Sequence, residues 1–141
     1  AGRELNDKMG NYVATQLLTA MKKKSIKIQG AKILIMGLTF KENCADTRNS
    51  GIKSVIESLK KYKCDLDLYD PWVNKEDIKK IYSINPKTKL SKNTYDSIMI
   101  AVSHDKFKTM GINKIYNLCK KKHIIYDLKY LFTSNKINLR L

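Results

Sequence analysis

The stretch Ile33-Leu34-Ile35-Met36-Gly37-Leu38-Thr39-Phe40-Lys41-Glu42-Asn43-Cys44-Ala45-Asp46-Thr47-Arg48-Asn49-Ser50-Gly51 decides how the rest of the chain is read. It begins as a short apolar run, Ile33 to Met36, of the kind a buried strand makes. It ends against Ile52, Val55, Ile56 and Leu59, apolar residues at helical spacing. Between the two lies a polar loop of about a dozen residues, where a strand-to-helix turn needs only a few. It carries Phe40, Lys41, Glu42, Asp46 and Arg48. A long polar loop at a strand C-terminus points to function, because open α/β sheets bind ligands at that edge. We therefore expect an anion-binding element with Lys41 and Arg48 as its charges.

Working outward, residues 31–36 form the first strand and residues 50–62 the helix behind the loop. Asp65-Leu66-Asp67-Leu68-Tyr69 alternates polar and apolar and is stopped by Asp70-Pro71, which makes it a second strand. A helix follows over residues 75–82, then a turn-rich link through Asn85-Pro86. Ser97-Ile98-Met99-Ile100-Ala101-Val102 is a continuous apolar run, as in a parallel strand covered on both faces. A helix over residues 112–121 and a last strand, Ile124-Ile125-Tyr126-Asp127-Leu128, close the pattern before a polar tail. Strands separated by helices predict right-handed crossovers. The fold class expected is α/β, a Rossmann-like doubly wound parallel sheet with helices on both faces, preceded by an N-terminal helix.

That first helix, over residues 5–21, sets Leu5, Met9, Tyr12, Val13, Leu17, Ala20 and Met21 on one stripe. It has no strand of its own to cover. Two readings stand: a subunit-contact helix or tail of an upstream domain, which would leave Leu5, Met9, Tyr12 and Leu17 needing a partner, or a helix packed on its own sheet.

At 141 residues the chain suffices for one domain, or one domain plus an appendage. It contains no apolar stretch long enough to span a membrane. It starts at Ala1 with no signal-peptide pattern, as a fragment would. Cys44, Cys64 and Cys119 are odd in number and widely spaced, which argues against zinc and disulfides and fits a reducing cytosol.

The formal net charge is +15, yet all but three of the 28 cationic residues are lysine, the exceptions being Arg3, Arg48 and Arg140. Nucleic-acid readers favour arginine for bidentate contacts. The runs Lys22-Lys23-Lys24 and Lys120-Lys121-Lys122 fall late in predicted helices, where cations complement the dipole. Solvated lysine faces are preferred here over nucleic-acid binding.

A dinucleotide site needs a glycine-rich first turn so that the backbone can approach the pyrophosphate. Here only Gly37 is present, followed by Leu38-Thr39-Phe40. Asp70 ends the second strand where a ribose-binding acid would sit, but an ordinary turn aspartate before Pro71 is the better reading. Cys44 has no histidine near it in sequence to act as a base, and a packed side chain is preferred over a nucleophile. His104 follows a strand at the ligand edge and could contact a bound group or be a solvent-facing helix cap. His123 reads as structural. Asp46 reads as a hydrogen-bonding brace for the loop and for Arg48.

The run from Gly37 to Ser50 resembles the signature loop of the UDP-glucose/GDP-mannose dehydrogenase family in its C-terminal domain. Tyr69-Asp70-Pro71-Trp72, Ala101-Val102-Ser103-His104-Asp105 and Tyr126-Asp127-Leu128-Lys129 follow in the expected order. Ala1-Gly2-Arg3-Glu4-Leu5-Asn6-Asp7 resembles the end of that family's central dimerisation helix. The loop is most similar to that of bacterial UDP-N-acetylhexosamine 6-dehydrogenases of surface-polysaccharide synthesis.

The resemblance implies an enzyme that oxidises C6 of a UDP-sugar to a carboxylate in two NAD-dependent steps, through a thiohemiacetal on a cysteine. It also implies that the NAD domain and that cysteine lie upstream, because none of the three cysteines here follows a double glycine. Residues 1–25 would end the central dimerisation region of a homodimer, and residues 26–141 would form the UDP-sugar-binding domain. The fragment alone would be inactive. Phe40 and Lys41 would contact the UDP-sugar, and Arg48 would reach toward NAD across a cleft. Lys129 stands where many relatives have a substrate-contacting arginine, so it keeps the charge without the bidentate fork. The implied setting is cytoplasmic, without membrane or nucleic-acid partners. A basic interaction or nucleic-acid-binding module without catalysis is the alternative.

Overall fold

In the computed structural model, residues 7–39, 42–46 and 51–141 are described. The elements are α1 (Asp7–Lys23), β1 (Lys32–Met36), α2 (Ile52–Lys61), β2 (Asp65–Tyr69), α3 (Lys75–Tyr82), β3 (Tyr95–Ile100), α4 (Asp105–Met110), α5 (Ile112–Leu118), β4 (Cys119–Asp127) and β5 (Leu139–Arg140). The five strands form one parallel sheet in the order β2-β1-β3-β4-β5. Order reverses between β1 and β3, so the crevice above their C-terminal ends is the topological switch point.

The pleat alternation of β1 divides the core in two. Ile33 and Ile35 join one apolar cluster and Leu34 and Met36 the other, all four fully buried. α2 and α3 cover the first face through Val55, Ile56, Leu59 and Ile78. Phe107 of α4 and Ile115 of α5 cover the second. This two-sided burial is why the strands carry apolar runs.

α1 belongs to the first face. Val13, Ala14, Leu17, Leu18 and Met21 are buried with Ile124 and Tyr126 of β4, and α1 lies against both α2 and β4. The crossovers leave that face above β3 and β4 uncovered, and α1 closes it. The expectation that Leu17 needs an outside partner is corrected: it is fully buried within the chain, whereas Tyr12 is 55% exposed. Leu5 lies outside the described residues. Gly10 permits the close α1–α2 approach, since a Cβ there would meet Ser54 Oγ at 2.5 Å.

Three further boundaries differ from the sequence reading. α4 lies between two strands where none was expected, and the polar tail supplies β5 at the sheet edge. The helix expected to reach residue 121 stops at Leu118, and Lys120-Lys121-Lys122 belongs to β4.

Several buried protonated groups predict alkaline lability. Burial pushes the Cys64 thiol up to about 11 and that of Cys119 up to about 12. Burial also raises the Tyr126 phenol to about 12, and burial followed by the Asp70 charge does the same for Tyr82. Partial burial works against the Lys32 ammonium, but hydrogen bonds to Asp65 and Asp67 hold it above its ordinary value. Each shift favours the protonated form in the fold. The stability they contribute is therefore complete below the unfolded values, which begin at 9.0 for cysteine, and is lost as pH rises toward the folded values. Urea unfolding should show stability falling above about pH 9, by up to about 1.4 kcal/mol per pH unit for the buried Cys119 thiol and by less for half-buried Cys64, which solvent screens. Cys119→Ala should flatten that slope, and a midpoint unchanged between pH 8 and about 10.5 would contradict the prediction.

Candidate ligand-binding edge

The loop that follows β1 leaves the sheet under tight constraint. Gly37 has φ +100, and a Cβ there would lie 2.7 Å from Val102 Cβ and 2.8 Å from Val102 N. The Gly37 N–H donates to Tyr69 O at 3.0 Å, and Ala101 N–H donates to Met36 O at 2.8 Å. The three strands β2, β1 and β3 are thus still tied together as their chains turn away.

Asp70 is the hub of this edge. Its Oδ2 accepts from Leu38 N–H at 2.7 Å and lies 3.1 Å from His104 Nε2. Its Oδ1 accepts from Trp72 N–H at 2.8 Å. The Asp70 and His104 side chains are both wholly buried. Asn43 N–H donates to His104 Nδ1 at 2.8 Å, so Nδ1 carries no proton and Nε2–H is the donor to Asp70. Thr39 Oγ1 lies 3.3 Å from the same Nε2. Asn43 Oδ1 accepts from Asp105 N–H at 3.0 Å, which closes a reciprocal pair between the loop and the start of α4.

This network corrects two sequence readings. Asp70 does make the turn bond expected of it, through Trp72 N–H, but it also anchors the turns that follow β1 and β3, through Leu38 and His104. His104 occupies the N-cap position of α4 without a side-chain cap bond, and is neither solvent-facing nor open to a ligand. It is a buried brace, packed edge-on against Phe107 at 5.2 Å. Asn43 was missed altogether. Its only local signal is that asparagine tolerates the left-handed backbone it adopts, φ +53.

On the outer side, Trp72 is 46% exposed and lines a cleft of about 580 Å³ with Asn43, Pro71, Asp105 and Lys106. At the end of β4, fully buried Asp127 accepts from Lys129 N–H at 3.2 Å and from Phe132 N–H at 2.9 Å. These bonds shape the turn that carries Lys129, which is half-buried. Phe40, Lys41 and Arg48 lie outside the described residues, so Lys129 is the one expected ligand contact whose setting is described. Cys44 and Asp46 are half-buried in the braced loop. His123 is buried, in keeping with its structural reading.

The atoms a dinucleotide would need are engaged. Leu38 N–H, which would face a pyrophosphate, is bonded to Asp70, and the Asp70 carboxylate, which would face a ribose, is filled by protein donors. The residues of the β1 turn do not fit such a cofactor in the usual way. Among the described residues no cluster suits a metal ion and no helix is long and apolar enough to cross a membrane.

A doubly wound α/β domain with a braced loop at its switch point has the class of architecture that binds ligands at that edge. The chain belongs to the UDP-glucose/GDP-mannose dehydrogenase family: the model of that family's UDP binding domain matches residues 34–134. Over all 141 residues it is 48% identical to a UDP-N-acetyl-D-glucosamine 6-dehydrogenase from Salmonella typhi and 48% identical to one from Pseudomonas aeruginosa. It covers 33% of each, so the chain spans about a third of the length of these curated relatives. Among solved structures it resembles the UDP-D-ManNAc dehydrogenase of Pyrococcus horikoshii, with a TM-score of 0.71 and 26% identity over 92% of this chain and 29% of that one. The family is one of oxidoreductases.

Proposed function

We propose that the chain is the C-terminal, UDP-binding third of an NAD-dependent UDP-N-acetylhexosamine or UDP-hexose 6-dehydrogenase that makes a uronic acid precursor for surface polysaccharide in the cytoplasm. The observation that carries the proposal is 48% identity across the whole chain to enzymes named for that oxidation. The braced loop at the switch point supports it, because a phosphate-bearing ligand needs its cations held in place. Phe40, Lys41 and Lys129 would hold the UDP-sugar, and Arg48 would face NAD. NAD would accept the hydride, held mainly by a domain outside this chain, a reading that agrees with the engaged β1 turn. Residues 1–25 would continue a central helix that pairs two subunits, and residues 26–141 would bind the nucleotide sugar. Lacking the cofactor domain and the reactive cysteine, the 141-residue chain would bind without oxidising.

Calorimetric titration with UDP and UDP-N-acetylglucosamine tests the binding role. Lys41→Ala or Lys129→Ala should each weaken UDP by roughly tenfold to a hundredfold, the worth of one charge-assisted hydrogen bond. Lys129→Arg should retain affinity. A parent protein that reduces no NAD with any UDP-hexose would refute the assignment.

A further inference from the structure

The N-terminal edge of the sheet carries a second cleft, separated from the braced loop by the length of β1, roughly 16 Å. It is an open cleft of about 550 Å³ lined by Lys27, Lys120, Lys121, Lys122 and Asp96, with Ile26 and Ala31 beside them. Lys22-Lys23-Lys24 ends α1 immediately before the Ser25–Lys27 segment that forms one wall. The segments that carry the two lysine triplets, remote in sequence, are tied together through Lys24 and Lys122. Lys122 Nζ donates to Ser25 O at 3.1 Å, and Lys24 Nζ donates to His123 O at 3.2 Å.

The second triplet is set out from the sheet by a break in register. Tyr95 pairs with Cys119 but Ser97 pairs with Ile124, so two steps along β3 face five along β4. The extra residues are Lys120, Lys121 and Lys122, all exposed between buried Cys119 and buried His123. Such bulges re-aim side chains and are frequent at functional sites. This one is fastened: His123 Nδ1 is 2.7 Å from Lys120 O, Ser97 Oγ donates to Ile124 O at 2.9 Å, and the His123 ring stacks edge-on against Tyr116 at 5.1 Å.

The cleft has one acidic neighbour, Asp96, and its carboxylate is engaged by Lys32 N–H at 2.8 Å and by Lys120 Nζ at 3.2 Å. The remaining field is positive. The cations are all lysine, a residue that holds phosphate as a point charge. The cleft is open to solvent, and its volume falls within the range of small-molecule sites. We propose that this cleft binds a small, multiply charged phosphate compound bearing three or more negative charges, independently of the ligand edge. Holding these lysines together costs self-repulsion, which such a ligand relieves, so binding raises thermal stability.

Inorganic tripolyphosphate is the probe, titrated calorimetrically into the 141-residue chain at about 50 mM salt, where screening is modest. Saturable binding is expected, with a raised melting temperature and no displacement by saturating UDP. Lys27→Gln with Lys121→Gln should weaken it about tenfold or more, equivalent to about 1.4 kcal/mol. Lys79→Gln with Lys80→Gln on α3 removes equal charge elsewhere and should leave it within about twofold. Absence of saturation by about 1 mM, equal losses in the two double variants, or displacement by UDP would each overturn the proposal.

Discussion

Replacing Asp70 with asparagine should lower the free energy of unfolding by about 2–4 kcal/mol, with a matching loss of UDP affinity. The carboxylate accepts from Leu38 N–H, Trp72 N–H and His104 Nε2–H inside a site its own side chain shares with no solvent. An asparagine amide has one acceptor oxygen and one donor group, so at either flip a buried N–H faces another N–H. Each buried donor left without an acceptor costs about 1–3 kcal/mol. The effect on binding follows from position, since Leu38 and, through His104, Asn43 are points at which the described part of the loop is pinned. His104→Gln should cost less alone, and the double variant should fall short of the sum, because both changes break one network. Urea unfolding checks the energies. An Asp70→Asn protein within about 0.5 kcal/mol of the parent chain would show that the network does not organise this edge.

Gly37→Ala should be at least as damaging, at about 3 kcal/mol or more. A left-handed backbone costs a residue with a Cβ about 1–2 kcal/mol, and overpacking adds about 1–3. The overlap is with Val102 N as well as its side chain, both at 2.8 Å or nearer, so no rotamer change relieves it. Val102→Ala in the same background should recover only a minor part. Gly30→Ala is the contrasting control. Its φ is also positive, at +79, but its surroundings are open, so only the backbone cost of about 1 kcal/mol applies. Equal destabilisation by the two glycine replacements would show that contact with Val102 is not what requires Gly37.

Both residues show how far local reading extends. The single glycine was legible as a departure from the dinucleotide pattern, but what it packs against was not. Asp70 was read from its neighbour Pro71, and that reading yields only the Trp72 bond. Its bonds to Leu38 and His104 span the sheet, and nothing in a local window reports them. The final lysine run was misread for a related reason. Residues 112–118 have helical spacing, and a pattern of period 3.6 gives no signal for where a chain leaves a helix and enters a bulge. α4 was missed because a helix of so few turns has one buried anchor, Phe107, and so no periodicity to detect.

What the amino-acid order determined by itself was everything with a local physical cause. Apolar runs marked β1 as a buried strand and β3 as one covered on both sides, alternation and Pro71 marked β2 and its end, and the overlong polar loop marked the candidate ligand edge. The loop motif also identified the family. What only the tertiary structure decided was which separated groups share space: α1 filling the face above β4, Asp70 and His104 meeting at the switch point, and two lysine triplets converging at the far edge. Those pairings depend on the order of strands in the sheet and on their register. Hydrogen bonds and charge contacts form only over a few ångströms, and it is the folded sheet that brings residues distant in sequence within that range.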